Sequence, residues 1–278
     1  MPATEQIINV SGYRFIELEE HEELPALRDA MLEAFNDIGV KGTILIAQEG
    51  INAAFAGTSD QITRVRAWFA NDARFASLWL KESPSQILPF SKLKVKIRPE
   101  IITFEPNLTH AQRISPTATP APAIAPKKLK EWLDSNRDFT LLDTRNTYEI
   151  DSGTFEKAVD LNIDIFKNFT KAVDDAVANG TLNTDEPVVT FCTGGIRCEK
   201  AAPYLLQNGF KEVYQIEGGI LHYFEECGDE HWDGNCFVFD DRAEINPELE
   251  PTGATLCHEC HRAVPAEQVC PCDKPPPR

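Results

Sequence analysis

Runs suited to strands occupy residues 7–18, 42–48, 51–56 and 93–104, and runs with helical spacing occupy 23–38 and 59–70. The order βαββαβ predicts a ferredoxin-like split βαβ, an antiparallel sheet with both helices on one face. Ser59 and Asp60 are suitable caps for the second helix. A second pattern begins at 127: a helix over 127–135, the buried strands FTLLD and PVVTF, a helix CEKAAPYLLQNG closed by Gly209, and the strand EVYQIEG. Strands alternating with helices predict a parallel sheet covered on both faces, with its site at the carboxyl ends of the strands.

Between the two patterns, residues 106–126 are proline-rich and aperiodic, as a semi-extended linker would be. The expected division is therefore 1–105, a linker 106–126, an α/β domain 127–230, and an extension 231–278 with little regular structure. For a chain of 278 residues, two domains with an appendage is the ordinary outcome. The 42% of hydrophobic and 26% of charged residues exclude a disordered or fibrous chain. With 44 acidic against 27 basic residues the formal charge is -17, so an anionic partner needs a local basic patch. No apolar run is long enough to cross a bilayer, and MPATEQIINV lacks the basic and apolar regions of a leader, so the expectation is a cytoplasmic protein with no membrane partner. In that compartment the eight cysteines, all beyond residue 190, read as reactive thiols or metal ligands rather than disulfides.

The chemistry concentrates in VVTF-CTGGIRCEK. A strand ends at Phe191, the loop Cys192, Thr193, Gly194, Gly195, Ile196 and Arg197 follows, and a helix begins near Cys198. Unpaired N–H groups at the helix start, a flexible glycine pair and the Arg197 cation all favour a thiolate at Cys192, which makes it a candidate nucleophile or persulfide carrier. Cys198 is either a resolving thiol or a packed side chain. Asp143 and Arg145, just past a strand, are either a loop brace or substrate contacts.

CTGGIRCEK resembles the active-site loop of rhodanese domains, as do LLDTRNTYEIDSGTFEKAVDLNI and the closing glycine pair of VYQIEGGILHYF. GTILIAQEGINAAFAGT and HWDGNCFVFDDR extend the likeness to the rhodanese-related tRNA uridine 5-hydroxylases, which carry an amino-terminal acylphosphatase-like domain. That resemblance implies oxygen-dependent conversion of a wobble uridine to 5-hydroxyuridine, with Cys192 as a persulfide-type cysteine, tRNA as partner and oxygen as co-substrate. A persulfide-forming sulfurtransferase and a non-catalytic interaction module are the alternatives. Many rhodanese domains have Gly-His-Ile where this chain has Gly153, Thr154 and Phe155, which counts against generic sulfur transfer. The four residues between Cys192 and Arg197 also separate the loop from those of related phosphatases, which have one more. The sequence has no dinucleotide fingerprint and names neither an oxygen-activating group nor an electron donor.

Two further patterns carry chemistry. Lys92, Lys94, Lys96 and Arg98 alternate with apolar residues and share one strand face, suited either to phosphate contacts or to guarding a sheet edge. Glu49 to Asn52 reads as a turn without an assigned role. The pairs Cys257/Cys260 and Cys270/Cys272 are suited to a structural zinc ion, with His258 or His261 as possible replacements for a sulfur, or else are free thiols.

Overall fold

The computed structural model describes residues 6–18, 23–105, 107–257, 259–270 and 272. Residues 1–5 of the stretch read as lacking a leader, Pro106 of the expected linker, His258, and residues 273–278 of the extension lie outside the described residues. The chain divides into two units, one ending at Arg113 and the other beginning at Ile114.

The first unit contains β1 (Ile7–Phe15), α1 (Leu24–Ile38), β2 (Lys41–Ala47), β3 (Gly50–Thr58), α2 (Ser59–Ala70), β4 (Lys81–Ser85) and β5 (Leu93–Ile97), with the sheet order β4-β1-β3-β2-β5. It is an acylphosphatase-like α+β domain. Its details differ from expectation in four places. The strand that closes the split βαβ is β4, antiparallel to β1, and not the later basic strand. β5 lies at the opposite edge and runs parallel to β2, so the sheet is mixed. The outer expected strands end early, at Phe15 and Ile97. The cap of α2 is Thr58 rather than Ser59: its hydroxyl accepts from Gln61 N–H, while the Gln61 side chain accepts from Thr58 N–H at 2.9 Å.

Both helices pack on the same face. Phe35 of α1 meets Trp68 and Phe69 of α2 edge-on at 5.1 and 5.5 Å, above buried Ile44, Ile46 and Phe55 of the sheet. Burial of each such ring contributes about 1.5–3 kcal/mol. The turn between β2 and β3 does more than reverse the chain. Glu49 accepts from Ile101 N–H at 2.8 Å and Asn52 donates to Ile101 O at 3.1 Å, which ties the segment after β5 to the sheet.

The second unit opens with β6 (Ala123–Ile124), a short strand at the end of the proline-rich stretch. There follow α3 (Pro126–Asp134), β7 (Thr140–Asp143), α4 (Thr147–Ile150), β8 (Gly153–Phe155), β9 (Val159–Asp160), α5 (Phe169–Ala178), β10 (Val188–Phe191), α6 (Cys198–Gln207), β11 (Val213–Ile216) and α7 (Gly219–Cys227). The sheet β6-β11-β10-β7-β9 is parallel throughout, as in a rhodanese fold. All four residues of β10 are buried, so helices cover both faces at the sheet centre.

Beyond α7 the extension is more regular than expected. β12 (Trp232–Gly234) pairs with β8, β13 (Cys236–Phe237) with β14 (Glu244–Ile245), and β15 (Thr255–Leu256) with β16 (Ala263–Val264). Phe155 explains the first pairing. Its ring contacts Phe191, Tyr223 and Trp232 edge-on at 5.0, 4.7 and 5.0 Å, so the Gly153-Thr154-Phe155 variant provides the socket for Trp232 of the extension. Such aromatic pairs add about 0.5–1.5 kcal/mol each beyond area burial. No helix among the described residues is long and apolar enough to cross a membrane.

Candidate active site at the cysteine loop

β10 delivers Cys192 at the carboxyl end of the central strand, where residues 192–197 curl before α6 begins. The first two carbonyls of this loop are held from outside: Ile220 N–H donates to Cys192 O at 3.0 Å and Leu221 N–H to Thr193 O at 3.1 Å. Both donors are otherwise unpaired groups of the first turn of α7. The approach demands a glycine. At Gly219, with φ +69°, a Cβ would stand 2.4 Å from Cys192 O and 2.7 Å from Gly195 N. With those carbonyls turned outward, Gly195 N–H donates to Cys192 Sγ at 3.2 Å, from a backbone with φ +99°. A Cβ on Gly194 would meet nothing within 4 Å, so the loop is open above that residue.

The sulfur has an asymmetric environment. Burial pushes the Cys192 thiol up, but a hydrogen bond from Cys198, the Arg197 cation and the N–H groups of Arg197 and Gly195 outweigh it and bring the pKa to about 5. Cys198, buried beside it and 3.8 Å from the Thr144 hydroxyl, is driven well above its ordinary value by burial and by the neighbouring sulfur. One sulfur is therefore a thiolate at neutral pH and the other a thiol that donates to it.

Arg197 is fixed by a residue that sequence reading did not single out. Its terminal nitrogens donate to both oxygens of Glu149 at 2.6 and 2.7 Å, a bidentate pair in which Arg197 is 5% exposed and Glu149 fully buried. Glu149 also accepts from Asn146 N–H at 3.1 Å, as the third residue of the α4 capping box. The signal was present as Asn146-x-x-Glu149, a capping signature; its second use as the arginine anchor is visible only in three dimensions.

Asp143 and Arg145 form a second bidentate pair, at 2.7 Å, with both side chains fully buried. Asp143 also accepts from the Thr154 hydroxyl at 2.8 Å, and Arg145 donates to Gly153 O at 2.7 Å. The geometry is that of a brace holding β8 beside the end of β7. Thr193, 9% exposed, reaches Phe237 O at 3.5 Å. Cys236, buried in the same layer, is pushed up to about 12 by that burial and stays protonated.

The remaining candidates lie elsewhere. Lys94 and Lys96 are on edge strand β5, with Lys92 and Arg98 flanking it; Lys92, Lys96 and Arg98 are exposed, whereas Lys94 is half-buried. The sulfurs of Cys257, Cys260, Cys270 and Cys272 all lie within 4.8 Å of one another, around the β15–β16 hairpin. His261 is instead turned against the Tyr148 ring, 5.9 Å away.

Residues 7–101 match the UPF0176 acylphosphatase like domain, and residues 125–226 match the rhodanese-like domain. Relatives called tRNA uridine(34) hydroxylase match nearly the whole chain. The protein of Cupriavidus metallidurans is 47% identical over 268 residues, covering 95% of this chain and 91% of the relative. That of Cupriavidus taiwanensis is 46% identical over 269 residues, with the same coverages. That of Bordetella petrii is 44% identical over 259 residues, covering 91% of this chain and 97% of the relative.

Proposed function

The chain belongs to the tRNA uridine(34) hydroxylase family, and we propose that Cys192 is the sulfur through which it converts the wobble uridine of tRNA to 5-hydroxyuridine. Replacing C5–H by C5–OH with one atom of O2 takes two electrons from the uracil ring and sends the other oxygen atom to water, so a reductant must supply two further electrons, with two protons from solvent. The observation that carries the assignment is the buried Cys192 sulfur with Gly195 N–H donating to it at 3.2 Å at the carboxyl end of a parallel strand, an environment that favours the thiolate.

The residues divide the work. Gly195 and Arg197 N–H groups and the Cys198 thiol hold negative charge on Cys192 Sγ, and they are in place before substrate arrives. Arg197 adds a cation that Glu149 prevents from swinging away. Gly194 leaves the way out of the loop open, and a sulfur added to Cys192 would extend about 2 Å beyond Sγ. The same geometry disfavours transfer of sulfur from an anionic donor such as thiosulfate. Both terminal nitrogens of the loop's arginine are engaged by a buried carboxylate and are poorly placed to receive an anion.

An unstacked base is needed for C5 to be reached, and an anticodon loop offers one at low cost. Phosphate contacts are assigned to Lys92, Lys96 and Arg98, with Lys94 contributing less because it is half-buried. The four carboxy-terminal cysteines would hold a structural zinc ion. Their closest sulfur separations, 3.3, 3.4 and 3.6 Å, approach the roughly 3.8 Å between sulfurs on a tetrahedral zinc. N–H groups of Glu259 and Cys260 are directed at Cys257, as suits a charged ligand. Zinc there would close a hairpin too small to have a core of its own.

The test is nucleoside mass spectrometry of tRNA from a host lacking such an enzyme, with and without this chain and with and without air. 5-Hydroxyuridine should appear only with both. Its absence with chain and air present would overturn the reading.

A further inference from the structure

Phe239 is 59% exposed, more than any other phenylalanine or tryptophan among the described residues. It does not lie on a loose tail. Phe237 two residues earlier is in β13, Val238 N–H donates to Ala243 O at 2.9 Å, and Asp240 and Arg242 close the turn with a nearly buried ion pair at 2.6 Å. The ring is thus held at one place on a short, braced turn. That place is the cysteine loop: the Arg197 guanidinium carbon lies 5.7 Å from the Phe239 centroid. Phe237 supports the ring edge-on at 5.2 Å, and Tyr148 supports Phe237 at 5.4 Å.

A phenylalanine held largely in water forgoes the free energy that burial of its ring would return. A rigid aromatic surface beside a reactive sulfur is suited to the face of a planar ring, and a nucleobase lifted from its stack needs such a surface. We propose that Phe239 is a substrate-binding residue on which the target uracil stacks while its C5 edge faces the loop of Cys192. The cation beneath the ring adds to the same contact, because Arg197 polarises the phenylalanine face. The proposal rests on the wobble-uridine reading and adds the surface that receives the base.

The test is a cycle of four binding constants, with full-length parent and Phe239→Ala each titrated with an anticodon stem-loop carrying uridine or an abasic site at the wobble position. Stacking of one base on an aromatic side chain sets the expected loss for Phe239→Ala at roughly 5- to 150-fold on the uridine stem-loop. On the abasic stem-loop the two proteins should bind alike. Phe239→Trp should retain binding, and Phe239→Leu, apolar but without a π face, should fall with the alanine variant. The pH midpoint for Cys192 alkylation should be the same in all four proteins, which shows that the loop is intact. Equal losses on the two stem-loops, or no loss on either, would overturn the proposal while leaving the role of Cys192 standing. If the parent neither binds the stem-loop nor yields 5-hydroxyuridine, the functional reading fails and this one with it.

Discussion

Arg197→Met removes the loop cation at nearly constant length and leaves the Glu149 carboxylate fully buried, with the Asn146 N–H still donating to it. Breaking a buried pair in this way costs about 3–5 kcal/mol, a large part of the usual 5–15 kcal/mol of a folded domain. Adding Glu149→Gln removes the stranded charge and keeps the capping acceptor, so the double variant should recover most of that loss. The thiol separates the electrostatic role from the structural one. An opposite charge at contact range lowers a pKa by roughly 1–3 units, so the Cys192 midpoint should rise by that much from about 5 in both variants. Peptide-resolved mass spectrometry of Cys192 alkylation across pH 4–10 reads the midpoint, alongside denaturant unfolding. A rate at one pH would mislead. The more basic thiolate is more nucleophilic, with a Brønsted slope of about 0.4–0.5, but scarcer below its own pKa, so the rate at a single pH rises or falls according to the pH chosen. A double variant with its midpoint still near 5 would refute the assignment of Arg197, and an Arg197→Met protein as stable as the parent would refute the buried pair.

Other consequences follow from the same contacts. Gly219→Ala should lose at least about 1–2 kcal/mol from its left-handed backbone alone, and more from the contact with Cys192 O, with unfolding and Cys192 alkylation both altered. Because the folded Cys192 pKa lies below the unfolded value, the thiolate's contribution to stability is fully present above about pH 8.5 and is lost as pH falls toward 5. The stability gap between parent and Cys192→Ala should therefore shrink between pH 8 and pH 5, and a gap that widens would contradict the depressed pKa. Charge reversal of exposed Lys96 and Arg98 should weaken tRNA binding and flatten its salt dependence by about 0.7–0.9 in log–log slope per lost phosphate contact. Protein prepared without chelator should contain about one zinc per chain, and Cys260→Ser should lose it; a metal-free parent would leave the four sulfurs as thiols.

Much of this architecture is legible in the chain. The 3.6-residue spacing of α1 and α2 and the buried strand that leads into the cysteine loop are long or distinctive enough to define themselves. β4 is not. Its sequence KESPS has no apolar alternation and includes Pro84, tolerable because β4 is an edge strand paired only with β1. The basic strand was legible as a strand, but nothing in its side chains says that it runs parallel to β2 at the far edge. In the site, the loop and its glycine pair announce themselves, whereas Glu149 is hidden in a capping signature and reaches Arg197 across 48 positions of sequence. The extension misleads for a related reason: strands of two or three residues carry no measurable period, and their stability comes from sockets such as Phe155 supplied by distant sequence.

The proposed role of Cys192 is that its one sulfur performs the chemistry on the wobble uridine. Its most direct test is nucleoside mass spectrometry of tRNA from cells whose sole source of this activity is the parent chain, Cys192→Ala or Cys236→Ala, each confirmed to be folded and equally abundant. Cys236 is the matched control, a buried and protonated cysteine of the same unit. 5-Hydroxyuridine should be present with the parent, retained with Cys236→Ala and absent with Cys192→Ala. Undiminished 5-hydroxyuridine with Cys192→Ala would rule out Cys192 as the working sulfur.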